Sequence, residues 1–490
     1  MNDAILSGPA LQSSLPSVLI QFREGAVAWA SDVEAMFSRF RLNPSDANYF
    51  CFLWRDISAK FVVCRMDRLP FGATCSPFIA IHTTHRAVAD AEAGEGAVNA
   101  VKKKMYVDDY LGSARNVEEG LKEASIVRKA LADADLHFRG WISISEEFVR
   151  VMQGEKNPIS PDVLLIDDGN KKVLGVVWNT RDDTLGFRVD NMNEEEYTRV
   201  SLTHKVATVF DPLGLAAPLI VKAKVRLREL GVKGLRWSES ADEMDRVWWE
   251  SWFTIMRELI HVSIERCLFP EETGIVNSQL HVFGDASEEA YAAVVYLRNT
   301  YNSGQVIIRL VKASSKLAPK KTLTVPKLEL NAALLSSRVA AAIQSCITHP
   351  VHQRFFWTDS STVRNWIRAT ASFYQIFVSN RIGEIQTLTE TEEWRFVPGR
   401  LNPADAATRS AIGREIWPKI WQDGPEFLLK PEADWPTDLP WLAATAELKS
   451  TKQYSIQAAA DPFDWSEFRL DQTNREDYLP HHDLLIEKPH

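Results

Sequence analysis

The chain has few cysteines and none in a recognisable pattern. Cys51, Cys64, Cys75, Cys267 and Cys346 are odd in number and include no C-x-x-C pair, so neither a disulfide framework nor a cysteine-built zinc site is expected. A reducing compartment follows. No stretch approaches the ~18 apolar residues of a membrane span, and the N-terminal segment lacks a basic region followed by an apolar core. The expectation is a soluble, unsecreted, intracellular protein with no membrane partner. Asp-Thr-Gly and Asp-Ser-Gly are also missing: Asp285-Ala286-Ser287 and Asp359-Ser360-Ser361 both lack the glycine, which rejects an aspartic peptidase. Positive charge is in deficit, and the net charge of -9 argues against a general nucleic-acid binder.

Local charge departs from that sum. Lys222, Lys224, Arg226, Arg228, Lys233 and Arg236 face the single acid Glu229, and Arg309, Lys312, Lys316, Lys320, Lys321 and Lys327 run with no acid among them. Taken alone, such runs read as solvated faces of helices or loops. At 490 residues the chain exceeds one hydrophobic core, and 45% hydrophobic with 25% charged residues is the composition of a chain that folds. Two or three domains are expected.

Periodicity gives the organisation. Residues 1–150 mix short apolar runs ending in acids with helical stretches, an α+β pattern, and 173–189 reads as a hairpin around the polar turn Asn179 to Asp183. Residues 191–275 are mostly helical and rich in Trp and Arg, interrupted where Pro212, Gly214 and Pro218 force a turn in FDPLGLAAP. Residues 276–412 follow the order βββαβαβα. From 413 to 490 the chain is rich in Pro, Trp and acids and reads as a linker region, partly disordered, loosest beyond 450.

Two sets of acids stand out. Tyr106-Val107-Asp108-Asp109 places adjacent carboxylates at the tip of a tight hairpin, where their repulsion favours a divalent cation. An Asp-Asp pair alone is usually a solvated turn. Upstream, however, Asp32 ends an apolar run in ASDVEAMF, and Leu69-Pro70-Phe71-Gly72-Ala73 lies between the two. In the second set Asp285 ends a strand, Glu329 lies early in a helix, Asp359 ends another strand and Asp405 opens the last helix. Each alone reads as a strand-end turn former, cap or solvated helix acid.

In this order and spacing the first segments resemble the palm motifs of reverse transcriptases, and the second set resembles the Asp-Glu-Asp-Asp cluster of ribonucleases H. The phrases DVEAMF, YVDDYLGSA, FDPLGLAAP, GDASEEAYAAVVYLR, KLELNAALL, FWTDSSTVRNWI and VPGRLNPADAATR together resemble Pao-type (Bel/Pao) long-terminal-repeat retrotransposon polyproteins over roughly residues 5–445. The resemblance implies a palm and the start of a thumb over 1–190, thumb and connection over 191–275, and a ribonuclease H-like domain over 276–412. It implies two Mg²⁺ per active site, with Mn²⁺ as the alternative, on Asp32, Asp108 and Asp109 in the palm and on Asp285, Glu329, Asp359 and Asp405 in the ribonuclease H domain.

Phe37 would lie beneath the deoxyribose, core packing being the alternative, and Phe71 and Gly72 would line the nucleotide pocket. The implied partners are RNA template, DNA primer, dNTPs and RNA·DNA hybrid; the implied setting is a cytoplasmic virus-like particle or the nucleus, with dimerisation left open. Two departures bear on polymerisation. The family places a fingers subdomain upstream of Asp32 that this sequence is expected to lack, and LHFRGWI carries Gly140 where the family has Lys. A catalytically inactive nucleic-acid-binding remnant, or a truncated gene model, is the alternative.

Overall fold

The computed structural model describes residues 2–448 apart from 56, 58–59, 155–169, 190–191, 193–195, 271–273, 410–416 and 441–446. The stretch from 449 onward, expected to be loose, lies outside the described residues. The first α-helix, Leu15–Phe22, is capped by Ser14, whose hydroxyl accepts from the Ser17 amide, and it buries Val18, Leu19, Ile20 and Phe22.

Six strands follow: β1 (Val27–Val33), β2 (Cys51–Arg55), β3 (Phe61–Arg65), β4 (Met105–Tyr106), β5 (Asp109–Ala114) and β6 (Phe138–Ser143). Four of them form one sheet in the order β4-β5-β1-β6, with β1 antiparallel to both neighbours. Alternation along β1 sends Ala28 and Ala30 into one hydrophobic core and Trp29 into another. Trp29 stacks on Phe148 at 5.1 Å, and a side chain at Gly112 would meet its ring at 2.2 Å, so a glycine is required in YLGSA. Strands β2 and β3 pair only with each other, and Phe52, Leu53, Trp54, Phe61 and Val63 are exposed along them.

A second sheet joins β7 (Asn170–Val173), β8 (Val176–Asn179), β9 (Thr184–Gly186) and β10 (Ile264–Glu265) in the order β10-β9-β8-β7. The expected hairpin is the β8–β9 pair. Helices Arg199–Thr208, Ala217–Val232 and Glu243–Glu258 lie between β9 and β10 in sequence. Asp242 caps the last of them, and Trp249 and Trp252 are fully buried on its inner face.

The third sheet is built from β11 (Ile275–Ala286), β12 (Ala290–Tyr301), β13 (Val306–Leu317), β14 (Gln353–Thr358) and β15 (Trp394–Phe396) in the order β13-β12-β11-β14-β15. The first three are antiparallel, while β14 and β15 run parallel to β11. Helix Val325–Cys346 crosses β11 so closely that a side chain at Gly284 would meet Ser336 Oγ at 2.6 Å. The segment 417–440, within the expected linker, packs on this sheet: Trp421 and Leu428 are fully buried, and the Tyr296 hydroxyl donates to the Trp421 carbonyl at 2.6 Å.

Hydrophobic packing does not break at 190 or 275. One buried cluster runs from Val18 through Trp178 and Trp252 to Phe283 and Trp421. Arg23 crosses this junction fully buried, donating to the carbonyls of Glu265, Arg266, Leu310 and Val311. Arg266 returns the contact to the carbonyls of Phe22, Gly25 and Ala26 and forks onto both oxygens of Asp183. The basic runs are only partly solvated: Arg228 donates to the Ala318 carbonyl and Lys312 to that of Pro212. All five cysteines are free, and no helix among the described residues is long and apolar enough to cross a membrane.

Candidate active site

The sheet register assembles the first acids. Asp32 on β1 lies directly opposite Asp109 on β5, and Tyr106 pairs with Asp109 across the two-residue turn Val107-Asp108. Val107 holds φ at 57°, a conformation that a β-branched residue adopts at a cost of roughly 1–3 kcal/mol. Gln12 steadies the turn: its Oε1 accepts from the Val107 amide at 3.0 Å and its Nε2 donates to the Met105 carbonyl at 3.2 Å. Burial first, then Asp108 and Asp32, push Asp109 up to about 6. Asp108 is raised as well, by burial and then by Asp32.

Asp32 is held by a cation from the neighbouring strand. Arg139 on β6 donates through Nε to Asp32 Oδ2 at 2.9 Å, next to a bulge at Asp32. Gly140 follows with φ at 65°, and a Cβ there would lie 3.8 Å from Asp32 Oδ1. The Phe37 and Phe71 rings meet at 4.8 Å; Phe37 is half-buried and Phe71 exposed. Gly72, with φ at 83°, faces open space, and its carbonyl accepts from the Asn2 amide group.

The second set gathers at one end of the third sheet. In the parallel β11–β14 pair Gly284 aligns with Thr358, so the next residues, Asp285 and Asp359, leave side by side. Glu329 reaches Ser360 from the first turns of helix Val325–Cys346. Asp405 sits in the short 3₁₀ helix Pro403–Ala407 rather than in an α-helix. Asn402 ties that helix down, donating to the Gly284 carbonyl at 3.0 Å and bonding Asp359. Thr408 is fully buried, and its hydroxyl donates to Asp285 Oδ2 at 2.6 Å.

Burial and mutual repulsion lift Asp285, Asp359 and Glu329. Asp285 stands well above the usual range through burial and then Asp359, and Asp359 through burial and then Glu329. Glu329 is raised by burial, with Asp285 adding to it. Acids that resist ionising together are a donor set suited to a hard divalent cation, whose charge removes the repulsion. Among the described residues, however, no group of three or more His, Cys, Asp or Glu side chains is drawn close enough to be a formed metal centre.

Arginines supply part of the missing charge, Arg139 on Asp32 and Arg409 on Asp405. Sequence reasoning singled out neither of them as a site residue, nor Gln12, Asn402 and Thr408. Asn402, Thr408 and Arg409 were within reach, since all three lie in RLNPADAATR.

Residues 198–360 match the family described as the Pao retrotransposon-like RNaseH-like domain. That span takes in the three helices before β10 as well as β11 to β14. Among solved structures, the foamy viral protease-reverse transcriptase in complex with RNA/DNA hybrid matches with a TM-score of 0.50 at 14% identity, over 83% of this chain and 48% of that one. The foamy viral protease-reverse transcriptase dRH in complex with ds DNA gives 0.49 at 15% identity, over 81% of this chain and 61% of that one. The chain thus spans about half to three-fifths of those proteins' length, and it shares a mixed α/β fold with the hybrid-bound one. No curated protein sequence matches it.

Proposed function

We propose that the chain is a reverse transcriptase–ribonuclease H segment of a Pao-type retroelement polyprotein, and that its ribonuclease H site cuts the RNA strand of RNA·DNA hybrids. The observation that carries this reading is the register of β11 with β14, which brings Asp285 and Asp359 out side by side with Glu329 and Asp405 around them. Asp285, Glu329, Asp359 and Asp405 would hold two Mg²⁺, with Mn²⁺ the alternative, and these ions when bound activate a water and neutralise the leaving 3′-oxygen.

The chain's own groups do the placing. Thr408 fixes one oxygen of Asp285, Ser360 orients Glu329, and Asn402 spans from the Gly284 carbonyl to Asp359. Hydrolysis adds water to phosphorus and breaks the P–O3′ bond, leaving a 3′-hydroxyl and a 5′-phosphate.

The palm acids Asp32, Asp108 and Asp109 would hold a second pair of Mg²⁺ for RNA-directed DNA synthesis on an RNA template and DNA primer. Phe37, Phe71 and Gly72 would frame the dNTP; the contact between the Phe37 and Phe71 rings supports grouping them. One observation favours a second reading in which polymerisation is lost: Arg139 occupies Asp32 beside Gly140, which leaves that position without the lysine expected there.

The test is extension of a labelled DNA primer on an RNA template beside cleavage of a labelled hybrid, in Mg²⁺, by the full chain. Cleavage without extension selects the second reading for the palm and keeps the ribonuclease H. Absence of both from folded protein rejects enzymatic function.

A further inference from the structure

Arg409 leaves the main chain from a fixed point. The residue before it, Thr408, is clamped twice: its hydroxyl donates to Asp285 Oδ2 at 2.6 Å, and its carbonyl accepts from Ser287 Oγ at 2.6 Å. From there the guanidinium lies along Asp405, with Nε at 2.9 Å and Nη2 at 2.8 Å from the same Oδ1. Asp285 and Asp359 are its other charged neighbours. A second cation approaches Asp405 from a different element, since Val221 and Val225 pack on Ala290 and bring Lys222 of helix Ala217–Val232 to Glu289 and Asp405.

The Arg409 side chain is 64% exposed, and an ion pair so open to water contributes little to stability. Among the described residues, Asn402 and Thr408 rather than this ion pair tie the turn to β11. A guanidinium fork matches a phosphate as well as it matches a carboxylate, and a divalent cation is the stronger partner for Asp405.

We propose that Arg409 is a substrate-binding residue of the ribonuclease H site, the resident counter-ion of Asp405 that passes its donors to an RNA-strand phosphate when a divalent cation takes the carboxylate. This rests on the ribonuclease H reading above. No covalent bond changes in the exchange; one ion pair is traded for another.

Two consequences have opposite signs. Removing the guanidinium frees Asp405 for the cation, so Mg²⁺ binds more tightly in the absence of nucleic acid. It also removes a phosphate contact, so the hybrid binds more weakly. A residue that only supported the fold would lower the active fraction and move neither quantity.

The experiment compares wild type, Arg409→Ala and Arg409→Lys as full chains in an Asp109→Asn background, which silences the palm. Calorimetry measures Mg²⁺ binding without nucleic acid, and steady-state cleavage of a labelled hybrid is followed at saturating Mg²⁺. Arg409→Ala is expected to tighten Mg²⁺ several-fold and to raise KM for the hybrid roughly tenfold while kcat changes far less, with Arg409→Lys intermediate. Unchanged Mg²⁺ affinity overturns the proposal, and so does a loss confined to kcat. Failure of wild type to cleave removes the ribonuclease H reading and this inference with it, whereas normal cleavage by Arg409→Ala removes this inference alone.

Discussion

Asp285 is surrounded by burial, Asp359 and Asp405, all of which disfavour its charge, while the Thr408 hydroxyl and the more distant Arg409 favour it. Thr408→Val keeps the side chain's shape and deletes the donor. Asp285 then needs a higher pH to ionise, so the acidic limb of the cleavage pH profile is expected to move alkaline, with Thr408→Ser restoring it. An unmoved limb would show that Thr408 only packs.

Asp109 gives a second test at this scale. Its folded value of about 6 lies above the ordinary 3.8, so the folded state keeps the proton longer than the unfolded chain does. The stability this contributes is full at low pH and is lost as pH rises through that window. In chelator, the denaturation midpoint should fall between pH 4 and 7 more steeply in wild type than in Asp109→Asn; equal slopes would place the effect elsewhere.

Among the elements, the turn in FDPLGLAAP has the clearest physical cause. Asp211 accepts from the amides of Leu215 and Ala216 at the head of helix Ala217–Val232, and burial still lifts it to about 6. Gly214 holds φ at 72°, and a Cβ there would lie 2.1 Å from the Ala313 carbonyl oxygen on β13. Gly214→Ala is expected to destabilise by about 2–4 kcal/mol in urea unfolding, through strain and the collision together. A loss below about 0.5 kcal/mol would mean that β13 yields.

Sequence pattern read this level unevenly. The order from β11 to the Asp405 helix was legible because strands and helices differ in period and several are bounded by turn formers such as Asn302, Gly304, Pro319, Pro350, Pro398 and Gly399. The packing of 417–440 was not, because a five-residue helix and short 3₁₀ turns are too brief to show a hydrophobic period, and Trp421 and Trp435 find their places only against distant strands. The basic runs were misleading for the same reason: the partners of Arg228 and Lys312 are carbonyls 90 and 100 residues away in the chain. Of the candidate site, the seven acids were legible from motifs. The groups that hold them, Gln12, Asn402, Thr408 and the two arginines, are recognised only once strands and turns place them.

Across the described residues, Arg23 and Arg266 join the first sheet to the second and third through seven backbone carbonyls and Asp183. Losing one guanidinium strands several buried acceptors, so Arg23→Met is expected to cost about 3–5 kcal/mol. Hydrogen exchange should then rise at β10 and at the middle of β13, where those carbonyls lie. Exchange that rises only near residue 23 would show that these sheets do not share one cooperative unit.

The carboxylates at the ends of β11 and β14 are tested most directly by cleavage of a labelled RNA·DNA hybrid in Mg²⁺ by the full chain beside Asp285→Asn. RNA-strand cleavage by wild type, reduced on the order of a thousandfold in a variant that remains folded, is the predicted result. Equal activity in the two proteins, or none in wild type with Mg²⁺ present, would contradict it.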